Sequence, residues 1–269
     1  MSNQTKDLIQ IKVHKEMIDM YLKTIETEKQ YSNCYFKRAE ANQIIENSLA
    51  FYTYKNGFLL FAEGRGYIKL YFCTDDFGWV SDLSRIKEDI DISEFAIEVV
   101  SKEEKPYNLN DVVPYTHIKQ YMRYRRVGNP ADDKSDNECV TYCLENDTAR
   151  IKEMLDAYFT PIGDELPTEQ EIKEFIIKGN VICIKEKDNL CGYIIFEDKG
   201  KTSYIRNICV DEQYRGLGIG KELLDKYNGL HKGFKVFTLW CNSNNENALK
   251  LYSLAGYCFD NLLNTIYIC

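Results

Sequence analysis

A chain of 269 residues with 44% apolar and 28% charged side chains can fill one large core or two ordinary ones, which excludes a disordered or low-complexity protein. A formal charge of −8 argues against nucleic acid as the main partner, because phosphate binding needs a net basic face, and it is compatible with a cationic substrate. The longest apolar runs are strand-sized and the N-terminal "MSNQTKDLIQ" has neither the basic end nor the apolar centre of a signal peptide, so no membrane partner and a cytoplasmic location are expected.

In chain order, Leu8, Ile11, Met17, Ile18, Tyr21, Leu22 and Ile25 recur near helical spacing, which predicts one long amphipathic helix. The aromatic-rich runs "LAFYTY", "FLLFAE" and "YIKLYFC", broken by Asn56-Gly57 and Gly64-Arg65-Gly66, predict a three-stranded antiparallel meander. A helix-like "VSDLSRIKEDID", a strand "FAIEVV" and a helix-like "YTHIKQYMRYRR" complete this half. The "YMRYRR" run interleaves aromatics with bases as single-strand nucleic-acid surfaces do. It is short and isolated in an acidic protein, and a solvated helix end or an interdomain contact is the simpler reading.

Residues 126–138, "RVGNPADDKSDNE", are almost devoid of apolar side chains and rich in turn formers, so they read as a linker. The expected organisation is an accessory α+β domain over 1–126, a linker over 127–137 and a second α+β domain over 138–269. The second domain opens with helices "TARIKEMLDAYF" and "TEQEIKEFIIKG", the latter started by Thr168 and closed by Gly179. The strands "NVICIKEK", "LCGYIIFED" and "SYIRNICV" form a second meander. A glycine stretch, a helix with Ile219, Leu223, Tyr227 and Leu230 on one face, a strand "KVFTLWC", a helix "NENALKLYSLAG" and strand runs "YCFD" and "TIYIC" follow. The two halves share an element order, which suggests a duplicated fold with one diverged copy. Ile205 and Ile208 lie an odd number apart, so a bulge between them is expected if both face the core. Phe237, Trp240 and Trp79 read as core residues.

The ten cysteines are scattered without a CxxC pair and read as free, mostly buried thiols; His14, His117 and His231 lie far apart, so no metal is expected.

The glycine stretch "QYRGLGIGKELLDKY" carries the chemistry. A dinucleotide fingerprint from Gly216 would need glycine where Lys221 stands, and a Walker loop ending at Gly220-Lys221 would need glycine and a hydroxyl where Arg215 and Glu222 stand. What remains is glycine at every second position into a helix start. Backbone amides there can approach an anion unobstructed, aided by the unpaired donors and dipole of the first turn.

In this pattern the second half resembles the GNAT superfamily of acetyl-CoA-dependent N-acyltransferases. Their coenzyme loop, Arg/Gln-x-x-Gly-x-Gly/Ala, is met by Arg215, Gly216, Leu217, Gly218, Ile219 and Gly220, five residues after a strand-ending Val210. A second family segment is met by Asn245, Ala248, Tyr252, Gly256 and Tyr257. The resemblance implies a mixed, mostly antiparallel sheet flanked by helices, and acetyl-CoA as co-substrate. It further implies a coenzyme site at Ile208, Cys209, Val210, Arg215 to Gly220, Lys221 and Asn245, with Tyr252 as general acid. The acceptor is then a primary amine of a small molecule or peptide, acetylated by direct attack in a ternary complex. Where many relatives carry a strand glutamate as base, this chain has Tyr204 and Arg206, leaving Glu197 and Asp198 as substitutes. That departure keeps open a non-catalytic acyl-CoA sensor. Cys209 reads as packing, not as a nucleophile. After "YIKLYFC" the acidic "TDDFGWVSD" has no glycine loop, so the first domain is not expected to bind coenzyme; it is expected to shape the acceptor site.

Overall fold

A computed structural model describes residues 8–12, 14–25, 27, 31–35, 38–105, 107–128 and 139–269. It divides into two compact units: Met1–Lys119 with Pro161–Gly163 and Asn264–Cys269, and Gln120–Thr160 with Asp164–Leu263. Of the expected linker over 127–137, residues 129–137 lie outside the described residues, as does residue 138.

The first unit runs β1 (Leu8–Ile11), α1 (His14–Ile25), β2 (Tyr31–Ser32), α2 (Arg38–Glu46), β3 (Ser48–Tyr54), β4 (Gly57–Glu63), β5 (Ile68–Thr74), a 3-10 turn (Gly78–Asp82), α3 (Leu83–Asp89) and β6 (Ala96–Lys102). Its strands order as β1-β3-β4-β5-β6, with β5 and β6 parallel and the others antiparallel. Alternate residues of β4 serve two cores. Phe58 and Leu60 pack with Met17, Tyr21 and Ile45 of the helices on one face, and Leu59 and Phe61 with Trp79, Ile86 and Phe95 on the other. The single long helix expected from Leu8 is corrected: Leu8–Ile11 pairs antiparallel with Phe51–Tyr54 of β3, and α1 starts at His14. A three-residue spacing of Leu8 and Ile11 fits a helix by pattern, but the free edge of β3 offers this segment ladder hydrogen bonds. Helix α2 was missed because only Ala41 and Ile45 mark its buried face. The first hairpin turns one residue earlier than expected. Lys55 takes the left-handed φ of +51°, while Gly57 opens β4, where a Cβ would lie 2.2 Å from the Cys73 carbonyl oxygen.

The second unit takes up β7 (His117–Val127) from Gln120 and continues with β8 (Val140–Tyr142), a 3-10 turn (Glu145–Asp147), α4 (Thr148–Tyr158), α6 (Glu169–Ile177), β9 (Val181–Glu186), β10 (Asn189–Lys199), β11 (Thr202–Val210), a 3-10 turn (Glu212–Tyr214), α7 (Ile219–Leu230), β12 (Val236–Asn242), α8 (Glu246–Leu254) and β13 (Cys258–Ile268) as far as Leu263; the short turn α5 (Pro161–Asp164) belongs to the first unit except for Asp164. Thr168 caps α6 in a reciprocal capping box with Glu171, as its sequence predicts. The helix expected over residues 115–126 is corrected to strand β7, which pairs antiparallel with β12 from Tyr121↔Asn242 to Val127↔Val236. Buried Tyr121 and Tyr124 stand three apart and imitate a helical face, but pairing with β12 settles the conformation. "YCFD" and "TIYIC" belong to one strand, β13.

Strands β7-β12-β11-β10-β9-β8 form the sheet of this unit. Ile151, Leu155, Ile172 and Ile176 of α4 and α6 pack with Cys183, Tyr193 and Cys209 on one face. Leu223, Leu224 and Tyr227 of α7 and Tyr252 of α8 pack with Ile194, Ile205 and Phe237 on the other. Leu230, expected on the buried face of α7, stays exposed while Leu224 is buried.

Candidate active site

Two features of β11 open the sheet. Ile195 of β10 faces Asn207 and Phe196 faces Ile205, so Arg206 is an extra, bulged residue. The bulge turns Ile205, Ile208 and Val210 to the core shared with α7 and α8, and Cys209 to the opposite one. Parallel pairing of β11 with β12 also stops at Ile205↔Leu239, although the strands continue to Val210 and Asn242. The edge of Arg206 to Val210 away from β10 is therefore not laddered to β12. Beside it, the Oδ1 of buried Asn207 has no hydrogen-bond partner, a feature the sequence reading missed. A buried orphan acceptor of this kind calls for a ligand or an ordered water.

The glycine loop joins this strand end to α7. Asp211 anchors it: its amide donates to the Cys191 carbonyl at 2.9 Å, and its carboxylate accepts from the Gln213 amide and pairs with Arg150. Arg215 folds back, donating from Nε to the Val210 carbonyl at 3.1 Å, with its guanidinium 4.5 Å from the Tyr158 ring centre. Gly216 and Gly218 have φ of +79° and +87°, the left-handed region that side chains with a Cβ enter at a cost. Gly218 is the N-cap, and its carbonyl accepts from the amides of Lys221 and Glu222. No acceptor among the described residues takes the amides of Gly216, Leu217, Gly218, Ile219 or Gly220. The loop around Gly216 to Gly218 is exposed, so these donors face solvent at the positive end of α7.

Close packing holds the parts together. A Cβ on Gly220 would lie 3.3 Å from Leu251 of α8 and 3.8 Å from Val210, so the loop, the end of β11 and α8 meet here. A Cβ on Gly192 in β10 would stand 2.8 Å from the Cys209 carbonyl oxygen and 3.2 Å from both Ile219 and Leu223, so this glycine, unremarked in the sequence, lets α7 dock on the sheet. Asn245 caps α8 by accepting the Ala248 amide at 3.1 Å. Tyr252, about two turns further on, is buried, its ring centre 6.2 Å from those of Tyr124 and Tyr257. Burial raises its pKa well above the usual 10, so the phenol keeps its proton. No described residue hydrogen-bonds its hydroxyl.

The two substitutes for a base are both engaged. Glu197 forms a 2.5 Å ion pair with Arg206, and Asp198 lies 3.1 Å from Nε2 of buried His231. Burial pushes the Cys209 thiol up to about 12, which keeps it protonated and unreactive at neutral pH. The short "YMRYRR" segment is strand, and Arg123 within it pairs with Asp260 at 2.5 Å.

A sheet opened beside a bulge, with a glycine loop and helix start at the opening, is the arrangement that the resemblance to the GNAT superfamily implies. Residues 148–257 match the model of the acetyltransferase (GNAT) family. No curated protein matches the chain. Its fold is similar to that of a GCN5-related N-acetyltransferase from Sphaerobacter thermophilus, with a TM-score of 0.61 at 13% identity over 97% of this chain and 95% of that one. A tandem GNAT protein from the clavulanic acid biosynthesis pathway gives 0.58 at 10% identity over 98% of both chains. A protein of Enterococcus faecalis V583 described as a probable N-acyltransferase gives 0.58 at 8% identity, over 97% of this chain and 71% of that one. The C-terminal half is thus a GNAT acetyltransferase domain, of a family that uses acyl-CoA and acetylates amines, and the whole chain has a tandem GNAT-like α+β fold.

Proposed function

We propose that the chain is an N-acetyltransferase that moves the acetyl group of acetyl-CoA to a primary amine of a small molecule or peptide. The observation that carries this reading is the row of unengaged amides from Gly216 to Gly220, at the start of α7 and beside the unladdered end of β11. In this reading those amides, with Arg215 and Lys221, hold the pyrophosphate; a hydrogen bond to a charged group contributes about 1.5 to 3 kcal/mol, so several outweigh any single lysine contact. Backbone groups of Ile208, Cys209 and Val210 hold the pantetheine arm and polarise the thioester carbonyl, and Asn245 borders the coenzyme. The amine nitrogen attacks the carbonyl carbon, the carbon–sulfur bond breaks, and the Tyr252 hydroxyl supplies the proton that the departing thiolate takes up. Tyr252 then recovers a proton from solvent as the new amide sheds one. An amine of pKa near 10.4 is neutral in only about one molecule in 2,500 at pH 7, so water must relay its proton.

In this reading the first unit takes no part in coenzyme binding. At the equivalent place Asp76 already occupies the Gly78 amide, at 2.9 Å, with a carboxylate of the same sign as a phosphate. None of the described helices is long and apolar enough to cross a membrane.

A second reading, a non-catalytic acyl-CoA sensor, is favoured by one observation: on the strand where, by the resemblance, many relatives carry a basic glutamate, this chain has Tyr204 and Arg206, and Arg206 pairs with Glu197. Calorimetric titration of acetyl-CoA, followed by a thiol-release screen across an amine panel, separates the two. Binding with amine-dependent CoA release is expected. Binding without release from any amine favours the sensor, and absence of binding refutes both.

A further inference from the structure

Away from the glycine loop, a second group of side chains is arranged for chemistry. Cys143, Asp147 and Cys183 are all buried, and their Sγ, carboxylate and Sγ atoms lie within 4.8 Å of one another. They come from three neighbouring elements. Cys183 sits in β9 opposite Thr141 of the edge strand β8, and Cys143, two residues on, is fixed by its amide donating to the Val181 carbonyl at 3.0 Å. Asp147 ends the 3-10 turn before α4, and its Oδ2 accepts the Leu144 amide at 2.8 Å, which aims the carboxylate back at the strand. Forty residues separate the two cysteines, so no local spacing announced the cluster.

We propose that Cys143, Asp147 and Cys183 form a binding site for a soft divalent metal ion of the zinc class, which clips β8 and the start of α4 to β9. Two thiolates and a carboxylate are a donor set that zinc favours. Zinc–sulfur bonds of about 2.3 Å in a tetrahedron put two sulfurs about 3.8 Å apart, so the cluster needs to contract by about 1 Å at most. Charge also balances. Metal uptake displaces two thiol protons, leaving three negative ligands against the divalent ion, and Lys185, whose Nζ lies 2.7 Å from Asp147 Oδ1, supplies the remaining positive charge. Each carboxylate oxygen has a second lone pair, so the contacts to Lys185 and Leu144 leave Asp147 able to bind the metal. Water fills the fourth position. The site departs from the absence of metal expected from the sequence, and it does not depend on the acetyl-transfer reading.

The test uses the full chain carrying Cys139→Ser and Cys258→Ser, which removes the two exposed thiols. Titration of the reduced protein with cadmium is expected to give a sulfur-to-cadmium charge-transfer band that saturates at one equivalent. Adding Cys143→Ser and Cys183→Ser should abolish it. Absence of the band, or a band that survives those substitutions, overturns the proposal. Should that variant fail to fold, the X-ray absorption spectrum of the zinc-loaded parent decides: two sulfur neighbours with oxygen or nitrogen completing the shell support the site, and any other sulfur number overturns it. Oxidation of the two thiols to a disulfide, read as a loss of two mass units with no metal uptake, overturns it as well.

Discussion

The Tyr252 hydroxyl retains its proton because the ring is buried among Tyr124, Tyr257 and the sheet, and a retained proton is what a departing thiolate needs. General acid assistance of this kind contributes about 10²- to 10⁴-fold. Tyr252→Phe keeps the ring and removes the proton, so kcat should fall by about 10²-fold or more while the calorimetric Kd for acetyl-CoA stays put; unchanged turnover would take Tyr252 out of the mechanism. In the first unit, Asp76 is held down to about 2 by Lys55, by the Tyr54 hydroxyl and by the Gly78 amide. Its folded-state pKa lies below the ordinary 3.8, so its stabilisation is present in full above about pH 4 and is lost as the pH falls towards 2. Asp76→Asn should lower the melting temperature near neutrality and converge on the parent near pH 2. A gap that stays constant across that range would mean that the carboxylate charge contributes nothing. Tyr252 and the loop residues were legible in the sequence because their spacing is local. Asn207, Gly192 and the engagement of Glu197 by Arg206 were not, since each is defined by a neighbour on another strand.

At the scale of elements, the start of α7 unites two demands. Gly218 must adopt φ of +87°, and the amides after it must stay open. Gly218→Ala tests the first demand and Gly218→Asp adds a negative charge against the second. Acetyl-CoA affinity should fall more than about 100-fold in the aspartate variant, of which roughly 1 to 2 kcal/mol is the left-handed strain that alanine shares. Equal losses in the two variants would refute an anion at the loop. The bulge at Arg206 was legible from the odd separation of Ile205 and Ile208, because burial on one face fixes the parity of a strand. The nature of β1 and β7 was not. In each, apolar or aromatic residues three apart satisfy a helix as well as a twisted strand, and only the partner strand, β3 or β12, decides between them.

At the scale of the whole molecule, the chain's last six residues belong to the compact unit that its first 119 build. Phe95 and Cys269 exchange backbone hydrogen bonds at 2.8 and 3.1 Å, the Tyr267 hydroxyl accepts the Leu109 amide, and Ile266, Tyr267 and Ile268 are buried. Deleting residues 264–269 should cost the first unit roughly 5 kcal/mol or more, comparable with the full stability of an ordinary domain. Hydrogen exchange should then show β3 to β6 unprotected while β9 to β11 keep their protection; retained protection in β3 to β6 would contradict this. The sequence by itself determined two meanders, the helix caps and the glycine loop, because turn chemistry, capping and alternation act over a few neighbouring residues. It also determined that the second half carries the GNAT pattern and the first half lacks its loop. Only the tertiary structure decided which unit the last residues complete, where β11 leaves β12, and that Cys143, Asp147 and Cys183 meet. Those are contacts between residues far apart in the chain, set by strand pairing and helix docking that no local pattern encodes.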